Sequence, residues 1–279
     1  MTLPAVTDPG ATRPAAPSAS ASGRTSLPDA HLTFARVIRS EAIKLFSLRS
    51  TWWSIAVAAL LSVGISLLMA LASGDFGPRF PPIMAIVAPI QFTMLVAGIL
   101  GAIAVTGEYS TGMIRSSLTA VPQRGAVLAA KALVMGLFLA VASAVIFAIA
   151  VVATAPLLSV QIDWSEPAGS LVPVAYGVLS LTAFALLGVS FGFIIRNGAG
   201  AIAATVGLLF VAPIVVSLFT MFGPAWEWVI DLGQYLPVSA SQTLAAPGAE
   251  EVLPALIALL AWVAAGLIGS WAVLRTRDA

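Results

Sequence analysis

The chain has 279 residues, 59% of them apolar and only 9% charged, with a net charge of +1 and a mean hydropathy of +1.02. Soluble domains carry roughly 45–50% apolar residues, so this composition indicates an integral membrane protein. With no cysteine, disulfides, thiolate metal sites and cysteine nucleophiles are excluded, and with a single histidine, His31, a metal site built on several histidines would need several chains.

Residues 1–30 are rich in Ala, Pro, Ser, Thr and Gly. They cannot bury enough surface to offset their ordering entropy, and are expected to form a disordered cytoplasmic tail. No apolar core follows their charges, so they do not read as a signal peptide. The pattern changes over residues 31–50, HLTFARVIRSEAIKLFSLRS. At 100° per residue, Phe34, Val37, Ile38, Ala42, Leu45 and Leu48 share one face, and Arg36, Arg39, Ser40, Lys44 and Ser47 the other. This spacing predicts a basic amphipathic helix lying in the membrane interface. Glu41 falls on the apolar face. It must be solvated at headgroup level, pair with Lys44 three residues on, or find a partner farther away, for instance Arg115.

Six apolar runs follow: Trp52–Ala72, Ile83–Thr106, Val127–Ala153, Leu171–Ile195, Ala199–Phe222 and Val252–Leu274. Each can cross about 30 Å of hydrocarbon at 1.5 Å per residue. None has an ionisable residue near its centre. Glu108 and Lys131 lie at span ends, where side chains can snorkel. If both termini share one side, that side holds 12 of the 13 basic residues, all but Arg79. The positive-inside rule then makes both termini cytoplasmic. The expected fold is all-α: six transmembrane helices in residues 51–279, preceded by the amphipathic helix.

Gly188 and Gly192 form a GxxxG pair, and Gly98, Gly101, Gly266 and Gly269 also permit close helix approach, more readily within one subunit than at a dimer face. Pro89 and Pro213 should kink their spans. Gln91 is the one large polar side chain well inside a span, and reads either as an interhelical hydrogen-bonding group or as a pathway residue. The external segment 223–251 carries Trp226, Trp228 and Tyr235 and should form a short helix or re-entrant piece.

Between the second and third runs lies a polar island, Gly107–Lys131, GEYSTGMIRSSLTAVPQRGAVLAAK. Gly107 reads as the terminator of the second span. Glu108 reads as the start of a short helix, with Thr111 and Arg115 on its face and Pro122 at its end, while Arg124 and Lys131 anchor the third span in the headgroups. Three roles fit such an island: a docking element for a cytoplasmic partner, the inner gate of a secondary carrier, or part of a membrane enzyme's site. A carrier normally shows ionisable residues at mid-depth, and an enzyme a nucleophile–base pair or metal-spaced carboxylates; neither pattern is visible. Gly125–Lys131 lacks the second glycine and following Ser/Thr of a nucleotide-binding loop, so any nucleotide must be bound by another chain.

Taken together, RSEAIKLFSLRSTWW before the first span, GEYSTGMIRSSL and VPQRGAVLAAK after the second, and QYLPVSASQTL at 234–244 make residues 31–279 resemble the permease subunits of bacterial type-2 ABC transporters. Family members often have threonine where this chain has Met113. The resemblance implies a coupling segment at 107–127, in which Glu108, Tyr109, Thr111, Gly112, Arg115 and Arg124 belong to the surface touching a separate ATPase subunit. It makes 31–50, with Arg39, Glu41 and Lys44, the connecting helix. It further implies a second permease subunit, ATP and Mg held by the ATPase partner with no cofactor on this chain, and export of an amphiphile across the bacterial inner membrane. Membrane lipid is an expected partner and nucleic acid is not. The alternatives are an ion-coupled carrier and a non-transporting component of a sensor or resistance complex.

Overall fold

The computed structural model describes residues 33–276, except 76, 78, 79 and 122. The tail at 1–30, His31, Arg79, Pro122 and Arg277 therefore lie outside the described residues. Twelve α-helices are named here in chain order: α1 (Phe34–Ser47), α2 (Arg49–Leu71), α3 (Met84–Val87), α4 (Ile90–Ser110), α5 (Met113–Ala120), α6 (Arg124–Thr154), α7 (Leu171–Ile195), α8 (Gly198–Val206), α9 (Ala212–Leu218), α10 (Glu227–Gly233), α11 (Pro237–Ala245) and α12 (Val252–Thr276). The described residues contain no strand.

Six helical stretches are long and apolar enough to cross a membrane: Arg49–Gly74, Met84–Ser110, Arg124–Thr154, Leu171–Ile195, Gly198–Phe222 and Val252–Thr276. They coincide with the six apolar runs of the sequence. The protein is thus an all-helical chain with the architecture of a multi-pass membrane protein.

Both prolines interrupt their spans. Pro89 separates α3 from α4, and Pro213 follows a five-residue π-helical segment, Gly207–Val211, between α8 and α9. Proline has no N–H to donate and its ring crowds the carbonyl four residues back, here that of Leu209, which the wider π turn accommodates.

The centre of the bundle is the α4–α7 pair. A Cβ on Gly188 would collide with the Gly98 carbonyl, and one on Gly101 with the Ala185 carbonyl. Only glycine lets these backbones approach so closely, as the small-residue pattern predicts for packing within one subunit. Met94, Leu100, Phe184, Val189 and Phe193 fill the surrounding core. In the segment 223–251, α10 keeps Glu227 and Asp231 exposed, while Val229 and Ile230 are half-buried and Gly233 buried. The piece that enters the bundle is α11, which buries Val238, Ala240, Ser241 and Leu244 against α7 and α12.

Candidate functional site

At one end of the bundle α1, α4, α5 and α6 converge on a cluster of two carboxylates and two ammonium groups. The α1 helix buries a single seam, Val37, Glu41 and Leu45, spaced four residues apart and therefore stacked on one face. Glu41 thus sits in the middle of the buried line. One of its carboxylate oxygens lies 2.7 Å from Lys44 Nζ, the other 2.6 Å from Lys131 Nζ. Lys131 Nζ is also 2.6 Å from Glu108 Oε1. Lys44 Nζ completes the ring at 3.3 Å from Glu108 Oε1, and donates to Ser117 Oγ on α5 at 3.0 Å. Side-chain exposure is 4% for Glu41 and Glu108, 6% for Lys131 and 20% for Lys44.

Removing four charges from water is expensive, and the cluster is tolerable because charges balance and each carboxylate meets both ammonium groups. Burial alone would push the Glu41 carboxyl up. Lys131 and then Lys44, through their charges and hydrogen bonds, outweigh burial and hold it below its ordinary value.

Four expectations change here. Glu41 does pair with Lys44, but its partner in the island is Lys131, while Arg115 is exposed. Lys131 and Glu108 do not snorkel into the headgroups, because each finds opposite charge inside the protein. The second span does not end at Gly107. Helix α4 continues through Glu108 to Ser110, since the ion pair to Lys131 holds that last turn against α6. The terminating residue is Gly112, whose φ of 72° is the left-handed conformation that favours glycine. Glu108 therefore closes α4 rather than opening the short helix, and does not share a helix face with Arg115.

The short helix is α5, anchored by Ile114 at 2% exposure and half-buried Leu118. Its other side is exposed: Met113, Arg115, Ser116 and Thr119, with Thr111 and Gly112 in the preceding turn. The remaining predicted island residues turn inward. Tyr109 is half-buried, its ring 6.4 Å from Phe193 and 5.3 Å below the Arg196 guanidinium. Arg124 donates to the Leu274 carbonyl at 2.6 Å, and Arg196 to the Val273 carbonyl at 3.4 Å. Two guanidinium groups thus meet the C-terminal end of α12, where carbonyls lack helical donors and the dipole is negative. Arg39 is exposed on α1.

A cavity of about 410 Å³ lies beside the charge cluster, between α1, α4 and α6. Far from it, Gln91 on α4 accepts a hydrogen bond from exposed Gln242 on α11 at 3.2 Å. Gln242 had no signal in the sequence, because its pairing depends on α11 folding back into the bundle. Lys131 did have one: Val127, Leu128 and Met135, its neighbours at one-turn spacing, are all buried, so it lies on the buried stripe of α6. Among the described residues no group of His, Asp and Glu is placed to hold a metal ion. Compared with protein-family models and with curated proteins, the sequence matches none.

Proposed function

We propose that this chain is the membrane-spanning permease subunit of an ATP-driven transporter of the type-2 ABC class, with ATP hydrolysed by a separate subunit. The observation that carries this reading is the build of the island: a short helix with an exposed polar face, tied by the Ser117–Lys44 hydrogen bond to a base in which buried ion pairs join α1, α4 and α6. Such an element can receive force from a partner and pass it to the spans. On this reading the ATPase touches Thr111, Gly112, Arg115 and their exposed neighbours. Glu108 and Arg124 act from inside, holding the segment's base and the end of α12. Helix α1 lies along the cytoplasmic interface with Arg39 toward the headgroups, both termini are cytoplasmic, and a second permease subunit completes the pathway. Gln91 and Gln242 join their carboxamides between α4 and α11, which suits a pathway lining.

The test is co-purification with an ABC-type ATPase and ATP-dependent flux of amphiphiles in proteoliposomes. Thr111→Ala with Arg115→Ala should sever the association while leaving the fold intact. Full binding and flux by this double variant would sink the assignment. A second reading, an ion-coupled carrier, draws on the buried carboxylates of Glu41 and Glu108, since buried ionisable groups in membrane proteins often carry protons. Their closed pairing with two lysines at a span end favours the first reading. The carrier predicts flux that continues without ATP and collapses with the proton gradient.

A further inference from the structure

The cavity beside the charge cluster has the layout of an amphiphile site. Its inner wall is apolar, formed by Leu45, Ile103, Val134 and Met135, roughly one helical turn below the ionic groups. Its mouth is polar. Ser47, Ser110 and Thr111 each donate their hydroxyl proton to a backbone carbonyl, which leaves their oxygens facing outward as acceptors. Among the described residues Glu108 Oε2 has one long contact, 3.4 Å to Lys44 Nζ, so it keeps accepting capacity as well. Lys44 Nζ, one-fifth exposed, is the more exposed of the two ammonium groups lining the cavity.

Gly107 leaves part of the cavity wall without a side chain. It lies within α4, where glycine weakens a helix relative to alanine, and it has no positive φ to justify it. A Cβ there would meet nothing within 4 Å, so packing within the chain does not require glycine either. Gly107 lines the cavity, and α1 packs chiefly on α6 and α2, meeting α4 through the Lys44–Glu108 pair. At about 410 Å³ the cavity falls within the roughly 300–1,000 Å³ of small-molecule sites.

We infer that this slot binds one membrane glycerophospholipid with a zwitterionic, primary-ammonium headgroup. The ammonium, with three N–H donors, meets Glu108 Oε2 and the hydroxyl oxygens. It takes over the long Lys44–Glu108 contact, so that the Lys44 N–H now shared at 3.3–3.4 Å with Glu108 turns to the phosphate, while the bonds to Glu41 and Ser117 stay. The start of one acyl chain lies along Ile103, Val134 and Met135. A quaternary ammonium has no N–H to donate and is disfavoured. The inference rests on the membrane-spanning reading, and on placing this end of the bundle at headgroup depth, but requires neither ATP nor a partner.

The experiment uses the full chain in nanodiscs of equimolar phosphatidylethanolamine and phosphatidylcholine, followed by detergent extraction and native mass spectrometry. One retained phospholipid per chain is expected, with phosphatidylethanolamine enriched at least fivefold. Gly107→Leu, which fills the slot without touching a charge, should reduce retention at least fivefold. Leu48→Trp, closing the slot from the junction of α1 and α2, should do the same and serves if the first variant does not fold. Ser110→Ala with Thr111→Val should keep the lipid but erase the preference. Equal retention of the two headgroups would overturn the headgroup assignment, and undiminished retention in the filled-slot variants would overturn the site. Because no ATP is involved, lipid binding can fail while ATP-driven flux persists, and the reverse.

Discussion

Lys131 carries the sharpest test of the charge cluster. Two carboxylates face two ammonium groups, so removing one charge leaves an unbalanced buried ion, while removing one of each sign restores balance. In Lys131→Met, Glu41 and Glu108 share Lys44 alone; in Glu41→Leu, Lys131 and Lys44 share Glu108 alone. Breaking a buried pair by deleting one partner typically costs about 3–5 kcal/mol, most of it the uncompensated charge left behind. The double variant keeps the Lys44–Glu108 pair at 3.3 Å and replaces the rest with apolar groups of similar size. Such replacements are often neutral. The double should therefore cost no more than either single, a coupling of about 3 kcal/mol, at the upper end for residues in contact. Denaturation by added SDS in mixed micelles, followed by the fluorescence of the seven tryptophans, measures it. Additive costs, or a Lys131→Met variant as stable as the parent, would refute the claim that these four groups form one balanced unit.

Acid should weaken the same unit from another direction. Because the folded Glu41 carboxyl is held below its ordinary value, its contribution is fully present above the unfolded value of about 4.3 and is lost as pH falls through the folded one. Stability measured from pH 7 down to 3 should fall on the acid side, less steeply in Glu41→Gln; identical profiles would contradict the pairing. Gly188→Ala drives a methyl into the Gly98 carbonyl and should cost about 1–3 kcal/mol or more by the same denaturation assay, whereas free tolerance would mean that α4 and α7 are farther apart than described. Arg115→Glu, on the exposed side of α5, should change stability by less than about 0.5 kcal/mol yet weaken ATPase co-purification at least tenfold. Ile114→Ala should cost about 2–5 kcal/mol and expose 113–121 to limited proteolysis, because Ile114 is the buried anchor of α5.

The six spans were legible because length and apolarity alone decide them: a helix must cross the hydrocarbon, and few segments of this chain could do anything else. The proline breaks and the glycine-mediated α4–α7 contact were legible for the same local reason, a missing donor and a missing Cβ. The island was read less well. Gly107 and Gly112 are both plausible helix ends by residue type, and the choice between them depends on a contact across space, the Glu108–Lys131 pair that holds one more turn of α4. In the same way Glu41 on an apolar face signalled a partner, but which one depended on how α1 lies across α6. Arg115 and Lys131 were equally eligible by charge. Only Lys131 lies on a buried stripe, and desolvated charge is what a buried carboxylate needs most.

That arrangement decides how a push on α5 could travel. The outer side, with Thr111, Arg115, Ser116 and Thr119, is exposed and polar, while the inner side is bound by Ile114 in the core and by Ser117 on Lys44. A displacement that drew Lys131 away from Glu41 and Glu108 would strand buried charge at a cost of about 3–5 kcal/mol. Moving α1, α4, α5 and α6 together keeps the ion pairs intact and avoids that cost. The surface that must give is then the one toward α7, α11 and α12, which apolar contact and the Arg124–Leu274 and Gln91–Gln242 hydrogen bonds hold without any ion pair among the described residues. The cluster therefore favours motion of four helices as one body over bending within any of them, and the free face of α5 is where a force from outside the chain would enter it.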